Sequence, residues 1–203
     1  MPASSLRNSP FDDREAGFSA GTLGFWFFLA ALAVLFASFI LAHWLVLISI
    51  EDDALLDLPN LPSGLWASTL VLLISSGTIH WAVLGLRSGN TNKLKLGVIL
   101  TAILGIVFLA IQTRCWVQWS LPLAVAASSI EARYLLASFY VLTGIHAAHI
   151  IGGLIPLVIV ALRATSGRYT PTYYPGVRYA AMYWHFLDAV WLALFVTLQL
   201  GGK

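Results

Sequence analysis

Charge is what this sequence has least of. Only 10% of its 203 residues are Asp, Glu, Lys or Arg, against 59% hydrophobic, and the mean hydropathy is +0.84. That balance excludes a water-soluble globular domain, in which about a quarter of residues are charged. Eleven basic and nine acidic residues leave a net charge of +2. So small and dispersed an excess excludes a nucleic-acid partner. Cysteine is almost missing as well. Cys115 stands alone, which excludes an internal disulfide and any thiolate cluster for zinc or for iron and sulfur. Internal repeats, low-complexity tracts and linkers long enough to separate domains are also lacking.

What is present is a set of long apolar runs. A helix needs ~20 mostly apolar residues to cross the hydrocarbon of a bilayer. Five such runs occur, over residues 24–50, 66–86, 96–116, 134–162 and 179–200. The fold class is an all-α membrane protein, a bundle of five transmembrane helices over 24–203 behind a cytoplasmic N-terminal tail, 1–23. The first run is much longer than the apolar stretch of a cleaved signal peptide and is expected to remain as an anchor. Between the first two runs, Glu51, Asp52, Asp53 and Asp57 precede Pro59 and Pro62, as suits an external loop. Eight Lys and Arg residues (Arg7, Arg14, Arg87, Lys93, Lys95, Arg163, Arg168, Arg178) then fall inside, and three (Arg114, Arg133, Lys203) outside. The positive-inside rule therefore puts the N-terminus in the cytoplasm and the C-terminus outside.

Ionisable groups within the runs are few, and each costs ~2.5–3.5 kcal/mol at mid-bilayer unless it has a partner or a purpose. Asp188 is the only carboxylate in any of them. Helical spacing puts Trp184, Asp188 and Trp191 on one face, with His185 at i, i+3 from Asp188, so a hydrogen bond between His185 and Asp188 is available. The expectation is a polar knot that holds helices together; a proton relay is the functional alternative. His146 and His149, also one turn apart, have the spacing of a two-imidazole metal site, yet no carboxylate or thiol on that helix completes a shell. Interhelical hydrogen bonding is expected of them instead, beside a close-packing surface of Gly144, Ala147, Ala148, Gly152 and Gly153. His80 and His185 lie at similar depth from the inner side, which leaves bis-histidine ligation of a b-type haem open. His43, beside Trp44, reads as interfacial. Ser75, Ser76, Gly77 and Thr78, and the spaced Gly97, Thr101 and Gly105, are expected packing faces.

The last run contains Tyr183-Trp184-His185-Phe186-Leu187-Asp188-Ala189-Val190-Trp191, which resembles the signature of subunit III of haem-copper terminal oxidases. Four earlier segments resemble the same family in the same order. They are Gly24-Phe25-Trp26 through Leu35-Phe36-Ala37-Ser38, then Ser75 to Ala82, then Leu104-Gly105 through Phe108 to Gln112, and finally His146-Ala147-Ala148-His149-Ile150-Ile151-Gly152-Gly153. The resemblance covers nearly everything after residue 23, and five spans are similar to the shorter bacterial forms.

It implies a non-catalytic subunit of the bacterial inner membrane that supports the catalytic subunit in aerobic electron transport. No cofactor or metal is implied in this chain; haem and copper belong to the partner, the catalytic subunit I, alongside other oxidase subunits. Structural phospholipid is an implied ligand. The sequence also departs from the family. Intramembrane acids expected where Leu32 and Cys115 stand are missing, and a glutamate preceding the last helix is replaced by Arg178. These departures leave a nitric oxide reductase as an alternative partner. Two further readings remain at this point: a self-contained b-type cytochrome using His80 and His185, and a small transporter using Asp188 as its proton site.

Overall fold

In the computed structural model the chain is a five-helix bundle; residues 14–49, 61–126, 130–166, 169 and 174–201 are described. Arg7, the acidic loop residues Glu51, Asp52, Asp53 and Asp57, Pro59, Arg168 and Lys203 lie outside them. The helices are α1 (Arg14–Ile48), α2 (Gly64–Arg87), α3 (Thr91–Ala126), α4 (Ile130–Thr165) and α5 (Pro175–Gly201). All five are long and apolar enough to cross a membrane, which makes this a multi-pass membrane protein.

Each helix overruns its apolar run, because backbone hydrogen bonding does not stop where hydrocarbon stops. Thus α1 begins at Arg14 and not at Gly24, and α3 extends from Thr91 to Ala126. Between α2 and α3 the turn is dictated by sequence. Gly89 takes φ +77°, a conformation that glycine alone adopts without a Cβ penalty. The amide of Asn90 reaches Gly85 O at 2.9 Å and that of Gly89 reaches Leu86 O at 3.0 Å, the paired bonds that close a helix through a left-handed glycine. Asn90 Oδ1 then accepts from the Lys93 amide at 3.1 Å and opens α3. Pro175 starts α5, where its missing N–H costs nothing.

Helices α2, α3, α4 and α5 pack in a ring, each touching the next, and α1 lies outside it against α4 and α5. The tightest seam is between α2 and α3. A Cβ on Gly97 would lie 2.6 Å from the Ala82 Cβ and 2.8 Å from the Thr78 carbonyl oxygen, so glycine is what lets the two backbones meet. In lipid there is no water to exclude, and close packing of this kind, not hydrophobic transfer, joins helices. α5 is the most enclosed span and α1 the least. No backbone contact joins α1 to α2 among the described residues. Between them runs a groove whose floor is α5.

Small residues do not all serve as contacts. Gly105 is pressed against the Trp184 ring and Gly153 against Tyr183, Trp184 and Leu187, whereas Gly77, Gly144 and Gly152 face open space. The expected packing surfaces on α2 and α4 are therefore narrower than composition suggested.

Candidate functional site

The site is best built from α5, whose two tryptophans of the terminal motif are both fully buried. An indole N–H in hydrocarbon needs an acceptor. Trp184 Nε1 donates to Ser75 Oγ at 3.0 Å, and Trp191 Nε1 donates to Thr69 Oγ1 at 3.0 Å. Ser75 and Thr69 are both on α2, and the pairing runs in opposite directions along the two helices. It therefore fixes the α2–α5 register at two levels. Ser75 Oγ also bonds the Leu72 carbonyl at 2.7 Å, and Thr69 Oγ1 the Leu65 carbonyl at 2.8 Å. Both acceptors are thereby held in one rotamer.

A third joint lies beside these. His185 Nδ1 and Ser76 Oγ are 2.8 Å apart. The expected bond to Asp188 is not made: His185 Nδ1 stands 3.9 Å from Asp188 Oδ2, beyond hydrogen-bond range. Both Asp188 oxygens are buried without a partner among the described residues. One turn apart on a helix, the two side chains are near enough to bond; Ser76 on the neighbouring helix offers His185 a better-placed oxygen.

His80 and His185 are neighbours, their ring centroids 6.2 Å apart and their planes 56° apart. Among the described residues no three of His, Cys, Asp and Glu converge to hold a metal ion.

The remaining histidines depart from expectation. His146 is wholly buried and neither ring nitrogen has a partner among the described residues; the imidazole lies against Trp191, ring centroids 5.1 Å apart, and edge-on to Phe108 at 5.9 Å. His149 Nδ1 is 2.8 Å from the Ile145 carbonyl of its own helix, so it makes no interhelical bond through that atom. Both rings border Phe36 on α1. His43 faces into the bundle. It is 3% exposed, with Nδ1 2.7 Å from Ser138 Oγ on α4. Cys115, at an expected acid position, is buried so tightly that a Cβ on Gly64 would lie 2.6 Å from its Sγ.

The groove is the one large feature that sequence reasoning missed. It encloses about 770 Å³ and is walled by Trp26 and Leu29 of α1, Leu84 and His80 of α2, and Met182 and Phe186 of α5. Arg87 and Arg178 sit at one mouth of it, where a smaller cavity of about 300 Å³ is lined by both arginines, Tyr174 and Pro175. Arg87 Nε donates to Tyr174 Oη at 3.1 Å. Arginines at one end of an apolar trough suit a ligand with an anionic head and a long apolar tail.

Comparison with known proteins accords with this architecture. The family profile of cytochrome c oxidase subunit III matches residues 17–203. A cytochrome c oxidase subunit 3 of Corynebacterium diphtheriae is 32% identical over 139 residues, 68% of this chain and 65% of the relative. A probable cytochrome c oxidase subunit 3 of Rickettsia felis is 35% identical over 138 residues, 67% and 47% of the two chains. The subunit 3 of Rattus norvegicus is 33% identical over 136 residues, 67% and 49%. The matched stretch thus spans from about half to just under two thirds of these relatives. With the profile matching almost the whole of it, this chain belongs to the cytochrome c oxidase subunit III family.

Proposed function

We propose that this chain is the non-catalytic third subunit of a bacterial haem-copper terminal oxidase and supports the catalytic subunit in aerobic electron transport. Haem and copper, held by the partner, supply the oxygen chemistry. This chain's residues hold a scaffold for it. The observation that carries the reading is the terminal motif: Trp184, His185 and Trp191 each join α5 to an α2 hydroxyl at Ser75, Ser76 and Thr69. The family motif is in this way spent on one helix joint. His185 belongs to this polar knot and Asp188 lies beside it, with His146 and His149 bordering it across Trp191 and Phe36.

The site of action in this reading is the bacterial inner membrane, N-terminus in the cytoplasm and C-terminus outside. Supporting it, Arg87, Lys93 and Lys95 cluster at the α2–α3 turn, with Arg163 near the end of α4 and Arg178 near the start of α5. In an up-and-down bundle all of these fall at one end. A membrane phospholipid is the fitting ligand of the groove, its phosphate between Arg87 and Arg178 and one acyl chain along Trp26, Met182 and Phe186.

The test is purification in gentle detergent through a tag on this chain, followed by partner identification and a reduced-minus-oxidised spectrum. A haem-copper catalytic subunit that accounts for all the haem is expected. A chain isolated with no such partner refutes the assignment. Lipid is tested in the same preparation: Arg87→Ala with Arg178→Ala should lose co-purifying phospholipid at least several-fold, and unchanged lipid content would remove it from the groove.

A further inference from the structure

Two buried polar side chains of the core are used by none of these joints. Gln112 on α3 is 1% exposed and His146 on α4 is 0% exposed, and none of their four side-chain nitrogens and oxygens has a hydrogen-bond partner among the described residues. They lie at one level of one seam. Phe108, Gln112 and Trp116 form a single stripe of α3, each four residues from the next. Trp116 Nε1 donates to Thr143 Oγ1 at 3.1 Å, Trp116 O accepts from Tyr140 Oη at 3.0 Å, and the Phe108 ring meets the His146 ring at 5.9 Å. Gln112 is bracketed by these contacts. It therefore faces the same turn of α4, Thr143 to His146.

We propose that a water molecule is bound between the Gln112 carboxamide and the His146 imidazole, an interior hydration site in the α3–α4 seam. The inventory of donors and acceptors supports this occupant. A neutral imidazole has one donor and one acceptor nitrogen, and a carboxamide has two donor hydrogens and an acceptor oxygen. The two side chains make no direct bond to each other. A water molecule donates two and accepts two bonds, so it can take a hydrogen from one group and give one to the other. Interior waters of proteins typically sit among two to four such partners. Facing polar groups outside hydrogen-bond reach are the geometry that a bridging water closes.

The site joins what the direct bonds leave open. Toward the outer end, α3 and α4 are linked through Trp116. One turn inward the water links them through His146, whose ring lies on Trp191, itself bonded to Thr69 of α2. Four helices are thereby tied at one level. The argument does not rest on the oxidase reading, since it needs only the bundle.

The experiment uses the assembled complex in its own lipid. A cryo-electron microscopy map that resolves ordered water should show a peak within hydrogen-bond distance of both Gln112 and His146. A direct carboxamide–imidazole contact, or a gap without density, overturns the proposal. In infrared spectra of the same material, an O–H stretching band of interior water should move to lower wavenumber in ¹⁸O-water. The band should disappear in Gln112→Leu. Persistence of the band in an assembled Gln112→Leu complex also overturns it. Where Gln112→Leu fails to assemble, the wild-type map and its isotope shift still decide.

Discussion

Gly105 and Trp184 give the sharpest test of how the bundle is held. A Cβ at residue 105 would come within 2.7 Å of Trp184 Cη2, 3.0 Å of Cζ2 and 3.1 Å of Leu154 Cδ2. Trp184 cannot retreat, because its ring is wholly buried and its Nε1 is held by Ser75. Gly105→Ala should therefore cost about 2 kcal/mol, the middle of the range for overpacking a full core. Trp184→Phe removes the indole N–H bond, worth ~0.6 kcal/mol on average between helices in lipid. It also removes about 40 Å³ of side chain, and at ~24 cal/mol per Å³ of cavity that costs ~1 kcal/mol more. Ser75 keeps its bond to Leu72 O, so no buried hydroxyl is stranded. Trp184→Phe alone should cost about 1.5 kcal/mol by these two contributions.

Independent effects would give the double variant a cost near 3.5 kcal/mol, the sum expected for uncoupled sites. The structure argues otherwise. The two indole atoms nearest the new methyl are on the benzo ring that phenylalanine lacks, so the alanine methyl enters the space the indole leaves. The double variant should cost about 1.5 kcal/mol, a coupling of roughly 2 kcal/mol. Reversible unfolding in mixed micelles, followed by tryptophan-independent distance labels on α3 and α5, measures all four corners of the cycle. Additivity within ~0.5 kcal/mol would refute the proposed contact.

Other consequences follow from the same packing. Gly97→Ala should be worse than Gly105→Ala, at least ~3 kcal/mol, because its methyl meets the Thr78 carbonyl and the Ala82 backbone, which cannot rotate away; loss of the subunit from the complex at lower temperature than for Gly105→Ala is the readout. Asp188→Asn should leave assembly within ~1 kcal/mol of wild type, because neither Asp188 oxygen has a hydrogen-bond partner within range among the described residues, and a large drop in subunit retention would show a partner that the bundle alone does not contain. His80→Ala and His185→Ala should each leave the reduced-minus-oxidised haem spectrum of the complex unchanged, and a lost b-type band would revive ligation by these rings.

How much of this was legible in sequence divides along depth and direction. Hydropathy reports depth, so all five helices were found in order. Direction around each helix axis is another matter, because in lipid both the exposed and the buried faces are apolar. Leu70 and Leu72 have the same side chain, yet one is 60% exposed and the other 1%. Position near the end of the run gives the depth of His43, and not that its ring is turned inward onto Ser138. Gly77 was assigned to a contact and is turned outward. The groove was invisible for the same reason, since it depends on α1 standing apart from α2.

Polar partners were legible only where local spacing happened to supply them. His185 was paired with Asp188 because both are on α5, whereas its actual partner Ser76 is 109 positions away. Gln112 escaped because a search for ionisable groups passes over an amide. The tryptophans behaved differently. An indole buried in hydrocarbon carries one donor and no acceptor, so Trp184 and Trp191 each required a hydroxyl or carbonyl on a neighbouring helix, and seven positions of separation put both on one face of α5. The demand was readable although the supplier was not. A motif dense in obligate donors thus announces a helix joint before its partner helix is known, and here the acceptors fall to Ser75 and Thr69, which hold α2 against the family's most distinctive segment.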